Sequence, residues 1–145
     1  MISLVFVFLI NIFALLSQDS GRSPESVEMT RAAESKNRFI VFSGSDWCKG
    51  CIQFRKKVLS DPSFESFAKE NLEIVVADFP QRTKLSKDIV AQNEALAEKY
   101  NPKGVFPNLV LVSSDGSHFE IVKYNNQTPQ EFVSELKTRL QHLNG

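Results

Sequence analysis

The chain contains two cysteines, three positions apart in Trp47-Cys48-Lys49-Gly50-Cys51. Such a pair can close as a disulfide within one turn of backbone. With no third cysteine, its members react with each other, with another molecule or with a metal. The segment before it, Phe39-Ile40-Val41-Phe42-Ser43-Gly44-Ser45-Asp46, runs from an apolar strand into a tight turn. Strand, turn, then a cysteine opening a helix is the setting in which C-x-x-C reads as a redox site. Three duller readings carry less weight. A static staple would close a tiny loop in a domain large enough to fold without it. A structural zinc needs four ligands, and only His118 and His142 remain, on a hairpin and a last helix without metal spacing. Haem attachment needs a histidine after the second cysteine, where Ile52 stands. No metal and no cofactor is therefore expected.

A length of 145 residues suits one domain with its own core, and twelve phenylalanines supply much of that core. Seventeen basic and seventeen acidic residues balance, so a broad nucleic-acid footprint is not indicated. The first eighteen residues carry no charged side chain, and Met1 to Leu16 is almost continuously apolar. That run is short of the ~20 residues of a comfortable membrane span and matches a signal-peptide core. The reading is residues 1–18 as a signal peptide, with an uncleaved membrane anchor as the rival and a buried core helix as a third choice. Residues 19–24 read as a polar linker and residues 25–145 as the folded domain.

Ser26 to Asn37 reads as a leading helix and Phe39 to Phe42 as a buried strand. Cys48 to Leu59 reads as a helix whose broad apolar arc holds Cys48, Cys51, Ile52, Phe54, Val58 and Leu59, with Arg55 inside it. Arg55 could help ionise Cys51, though a snorkelled or ion-paired side chain is the favoured reading. Asp61-Pro62 caps a second helix carrying Phe64 and Phe67. Leu72 to Asp78 is an apolar strand, and Gln81 to Lys87 a charged loop. Ile89, Leu96, Ala97 and Tyr100 mark a helix by their spacing. Leu109 to Val112 is a third strand. Ser114-Asp115-Gly116-Ser117 turns into a strand over Phe119 to Tyr124. Thr128-Pro129-Gln130-Glu131 opens a closing helix with a capping-box pattern. Alternating strands and helices followed by a hairpin imply an α/β domain with a mixed sheet and helices on both faces.

With that order, the chain resembles a thioredoxin-fold protein over roughly Glu25 to Leu143. Trp47-Cys48-x-x-Cys51 carries the likeness, with Tyr100-Asn101-Pro102-Lys103-Gly104-Val105-Phe106-Pro107, similar to the family's loop before a cis-proline, and the capped last helix. Gly44-Ser45-Asp46-Trp47-Cys48 together with Val76-Ala77-Asp78-Phe79-Pro80 looks most like exported bacterial members that reduce disulfides in the periplasm. The implied fold is a three-layer α/β/α sandwich on a mixed sheet. The chain departs from the family at Phe42, where thioredoxin proper has a buried aspartate, and at Lys56, where a kinking proline is usual. It also departs at Lys49-Gly50 between the cysteines and at Asn108 after the proline.

A thiolate is the nucleophile of disulfide exchange. Cys48, at a helix start, faces unpaired N–H groups and the positive end of the helix dipole, and Lys49 adds a cation. Cys48 is thus expected to be the exposed attacking thiol and Cys51 the shielded resolving one. From spacing alone, Pro107 before a strand is equally an ordinary loop proline, a bulge, an edge or a cis bond. The resemblance implies cis, packed beside Cys48, with Phe106 backbone pairing to an incoming peptide. Trp47 reads equally as core or docking surface, and Asp46 as a turn residue. The expected function is reduction of disulfides in exported proteins, with an unidentified redox partner protein and a possible membrane tether through residues 1–16. An oxidase or isomerase, or a non-catalytic redox-responsive binding module, is the alternative.

Overall fold

Phe39, Ile40, Val41 and Phe42 are apolar on both sides of the pleat, so their strand is stable only where both faces are covered. In the computed structural model, which describes residues 36–144, it occupies such a place. Strand β1 (Asn37–Ser43) lies between β2 (Leu72–Asp78), parallel to it, and β3 (Asn108–Val112), antiparallel to it. Strand β4 (Phe119–Val122) adds antiparallel to β3, giving the order β2-β1-β3-β4. Helix α1 (Lys49–Phe54) runs on as a wider π-helical turn over Arg55–Leu59, and is followed by α2 (Pro62–Asn71), α3 (Lys87–Tyr100) and α4 (Pro129–Leu143).

The period of two along β1 and β3 sorts their side chains into two cores. Phe39, Val41, Leu109 and Leu111 meet Phe54 and Val58, Phe64 and Phe67 of α2, and Phe132, Leu136 and Leu140 of α4. Ile40, Phe42, Val110 and Val112 meet Tyr100, Leu96 and Ala97 of α3, with Phe79 and Phe106. This is the three-layer α/β/α sandwich on a mixed sheet that the sequence implied. Phe132 is the hub of the first core. Its ring lies 5.4 Å from Phe54, 5.8 Å from Tyr124 and 6.2 Å from Phe39. Phe42 is fully buried in the second core, so the strand position that carries aspartate in thioredoxin proper is here ordinary core.

Local signals set the helix starts. Asp61 Oδ1 accepts from the Ser63 N–H at 2.9 Å, with Pro62 where a missing N–H costs nothing. Thr128 and Glu131 form the reciprocal capping box: the Glu131 N–H donates to Thr128 Oγ1 and the Thr128 N–H to Glu131 Oε2.

Several boundaries differ from the sequence reading. Cys48 caps α1 in an extended conformation rather than opening it. The buried stripe of that helix is narrow, at Cys51, Phe54 and Val58, so Ile52 and Arg55 on the margins of the expected arc face solvent. The π turn begins at Arg55 and spans Lys56, where the family's proline would stand. Ile89 is exposed on α3, and Ile74 and Val76 are exposed because β2 is an edge strand. β4 stops at Val122, and Tyr124 turns instead onto Phe54, 4.9 Å away. Asn37 belongs to β1, where its side chain accepts from the Ser114 N–H at 3.1 Å, and not to the leading helix. The apolar run Met1–Leu16, the linker at 19–24 and residues 26–35 of the expected leading helix lie outside the described residues, and Lys36 is in no helix.

Candidate redox site

β1 ends at Ser43, and the chain must turn sharply to start α1. The turn is closed by the Gly44 carbonyl, which accepts from the Cys48 N–H at 2.8 Å and the Trp47 N–H at 3.3 Å. It delivers Cys48 to the N-cap of α1, with Cys51 one turn on, and the two are joined as a disulfide with Cα atoms 5.3 Å apart. The Cys51 N–H donates to Cys48 Sγ at 3.2 Å. An N-cap side chain normally supplies an oxygen to such an orphan N–H; here sulfur does so. No acidic residue lies in the first turn, and Lys49 is exposed next to Cys48.

The expectation of an exposed Cys48 is corrected for this oxidised state. Cys48 keeps 7% of its surface and Cys51 4%. In the closed disulfide the two cysteines therefore differ little in burial.

Around the disulfide stands an aromatic rim. Trp47 is 38% exposed, its ring 5.3 Å edge-on from Phe106, and Phe106 lies 5.6 Å from Phe79. Trp47 Nε1 donates to the Phe79 carbonyl at 2.7 Å, which fixes the indole. The Phe106–Pro107 bond is cis. Pro107 lies against the dipeptide between the cysteines: a Cβ at Gly50 would sit 3.2 Å from Pro107 Cδ. Asn101 shapes the loop that leads there, donating to the Val105 carbonyl at 2.9 Å and accepting from the Val105 N–H at 3.0 Å. Gly104 in that loop has φ +61°, a conformation open to glycine at no steric cost. Asn108, just after Pro107, is buried, and its amide donates to the Tyr100 carbonyl at 3.3 Å. The structure therefore gathers Cys48, Cys51, Trp47, Phe106 and Pro107 at one end of the sheet. Arg55 is exposed. Among the described residues no three of His, Cys, Asp and Glu converge as a metal group.

Sequence reasoning missed a set of hydrogen bonds tying the Cys48 turn to the end of β2. Asp78 accepts from the Ser45 N–H at 2.8 Å and from Ser45 Oγ at 2.5 Å. Asp46 accepts from three successive N–H groups, those of Gln81, Arg82 and Thr83, at 2.8, 2.7 and 3.1 Å. These N–H groups hold the Asp46 carboxyl below the usual carboxylate range; Gln81 contributes most, then Arg82 and Thr83, against some desolvation. Asp46 is thus more than a turn residue. The partners are more than thirty residues apart, so no local pattern announces them. The sole trace in the sequence is the joint resemblance of the segments at 44–48 and 76–80 to one branch of the family.

A C-x-x-C disulfide at a strand-to-helix junction, facing an X–Pro turn on a mixed three-layer domain, defines a thioredoxin-like protein. The chain belongs to the thioredoxin-like domain family, which matches it over residues 26–139. It is 31% identical over 101 residues to the disulfide bond reductase DsbH of Chlamydia pneumoniae, covering 70% of this chain and 60% of that protein. It is 28% identical over 105 residues to the thioredoxin-related protein DsbJ of the same organism, covering 72% of this chain and 30% of that one. The chain thus spans less than two thirds of the length of both. The solved structure of a DsbH oxidoreductase superposes with a TM-score of 0.70 at 28% identity, over 81% of this chain and 80% of that one.

Proposed function

We propose that the chain is a thiol–disulfide oxidoreductase that reduces disulfides in exported proteins, with Cys48 and Cys51 as its catalytic residues. The observation that carries this is the pairing of the chain's two cysteines as a disulfide at the mouth of α1. In the reduced protein the Cys48 thiolate attacks a client disulfide, forming a mixed disulfide and releasing one client thiolate, which takes up a proton. The Cys51 thiolate then attacks Cys48 Sγ and releases the second client thiol. Two electrons pass from the dithiol to the client, and a redox partner protein must return them. The N–H of Cys51, already directed at Cys48 Sγ, is placed to stabilise the attacking thiolate, with Lys49 adding a cation nearby. Trp47, Phe106 and Pro107 supply the surface over which a client strand lies. The apolar run at Met1–Leu16 directs export to a periplasmic space, or tethers the domain to the membrane.

One feature favours the oxidase or isomerase reading. A helix start and a lysine that stabilise the thiolate also stabilise the reduced form, which raises the reduction potential. The reductase direction rests on likeness to a relative described as a disulfide bond reductase. Equilibration with glutathione buffers decides between them. A reductase should fall near thioredoxin, about −270 mV, and an oxidase near DsbA, about −120 mV. Insulin reduction should be lost in Cys48→Ser, and Cys51→Ser should retain mixed disulfides through Cys48. Recovery of no Cys48-linked adduct would leave a non-catalytic binding module as the better description.

A further inference from the structure

Beside Phe79, the loop that follows β2 and the first turns of α3 enclose a cleft of about 180 Å³. It is lined by Phe79, Pro80, Leu85 and Val90 together with the polar Asp78, Thr83 and Asn93. We propose that this cleft is a specificity subsite that takes one aliphatic or aromatic side chain of the client, near the client cysteine in sequence. The inference rests on the disulfide-exchange reading above and adds to it a preference that the cysteine pair cannot supply.

Three observations carry it. First, the cleft shares a wall with the rim of the disulfide. Phe79 is shared by both: its carbonyl accepts from Trp47 Nε1, and its ring stands 5.6 Å from Phe106, the neighbour of Pro107. A strand lying across the disulfide advances ~3.3 Å per residue, so a residue two or three positions from the cysteine reaches ~7–10 Å along this rim.

Second, the cleft is preformed. Asp46 holds Gln81, Arg82 and Thr83 through their N–H groups. Asn93 Nδ2 donates to the Asp78 carbonyl at 2.8 Å, tying α3 to the end of β2. The Phe79 N–H donates to the Ser43 carbonyl at 2.8 Å. A site that needs no ordering on binding keeps more of its contact energy as affinity.

Third, its chemistry suits an apolar group. Both carboxylate oxygens of Asp78 are engaged by Ser45, and the Asn93 amide nitrogen by the Asp78 carbonyl. What remains to meet a guest is largely the hydrocarbon of Phe79, Pro80, Leu85 and Val90, the last 38% exposed, with Thr83 as a polar neighbour. In size the cleft is close to a cavity of ~150 Å³ that accepts benzene. One leucine or phenylalanine side chain fits that description.

The test uses pre-reduced full-length protein in single turnover. The substrates are alanine-rich peptides with one cysteine capped by glutathione, and a leucine scanned over three positions on each side. Each turnover converts the protein dithiol to its disulfide and yields the free peptide thiol and glutathione, so electrons balance without another reductant. At one scanned position leucine should raise the cleavage rate at limiting peptide about tenfold over alanine. Val90→Lys should abolish that ratio. Ile89→Lys, on the neighbouring residue outside the cleft lining, should retain it. Because each ratio compares two peptides on one protein sample, a partly unfolded variant does not distort it. Wild-type protein that cleaves every peptide at one rate overturns the subsite alone, as does a leucine preference surviving in Val90→Lys or lost equally in Ile89→Lys. Wild-type protein that cleaves no peptide overturns the disulfide-exchange reading, and the subsite with it.

Discussion

A methyl group added at Gly44 would collide with the Trp47 indole. Its carbon would stand 2.3 Å from Cε2 and 2.5 Å from Nε1, against the ~3.5–4.0 Å at which carbon atoms rest. The backbone there is not free to retreat, because the Gly44 carbonyl holds the N–H groups of Cys48 and Trp47. In Gly44→Ala the indole must therefore swing out. That removes the bond from Nε1 to the Phe79 carbonyl and the edge-on contact with Phe106. A net hydrogen bond contributes about 0.5–1.5 kcal/mol and an aromatic pair a similar amount, so the expected loss is ~1–3 kcal/mol. Urea denaturation at unchanged slope should read it as a lower midpoint. Trp47 is the one tryptophan in the chain, so native-state emission should shift to the red as the ring becomes wetter. The cost should shrink to within ~0.5 kcal/mol in a Trp47→Ala background, because the clash and the lost contacts then no longer exist. A Gly44→Ala protein with unchanged midpoint and emission would refute the reasoning, as would one equally destabilised with and without the indole.

Phe132→Ala should cost about 3–5 kcal/mol, since its fully buried ring joins Phe39, Phe54, Phe64 and Tyr124; a urea midpoint close to wild type would deny that it is the hub of its core. Asp46 should titrate below the ordinary carboxylate range because the Gln81, Arg82 and Thr83 N–H groups favour its charged form. The unfolded chain then binds more protons than the native one between the two values. The Asp46 contribution to stability is thus present above the ordinary carboxylate range and lost as pH falls through the lowered value. Carboxyl NMR should show the depressed midpoint, with the three amide signals moving alongside it; a midpoint at the ordinary value would refute the clasp.

Much of this protein was legible residue by residue. The C-x-x-C at the end of an apolar strand placed the cysteines at a strand-to-helix junction. Continuous apolar runs at 39–42 and 109–112 required strands covered on both faces, and hence a layered α/β fold. Asp61-Pro62 and Thr128 with Glu131 announced their helices because a cap is a contact between residues two or three apart. Such features follow from local sterics and hydrogen bonding, which a short stretch of sequence fully specifies. Tertiary structure alone decided the rest. It placed β2 at an edge and so exposed Ile74 and Val76. It narrowed the buried stripe of α1 and turned Arg55 to solvent, and it drew Tyr124 off the last strand into the phenylalanine core. It also made Asp46 a clasp on residues 81–83, and Phe79 the wall shared by the disulfide rim and the neighbouring cleft. Each of these depends on which segments, separated in the chain, become neighbours in the fold. Burial and hydrogen-bond partners of that kind are properties of the packed whole, so no window of sequence contains them.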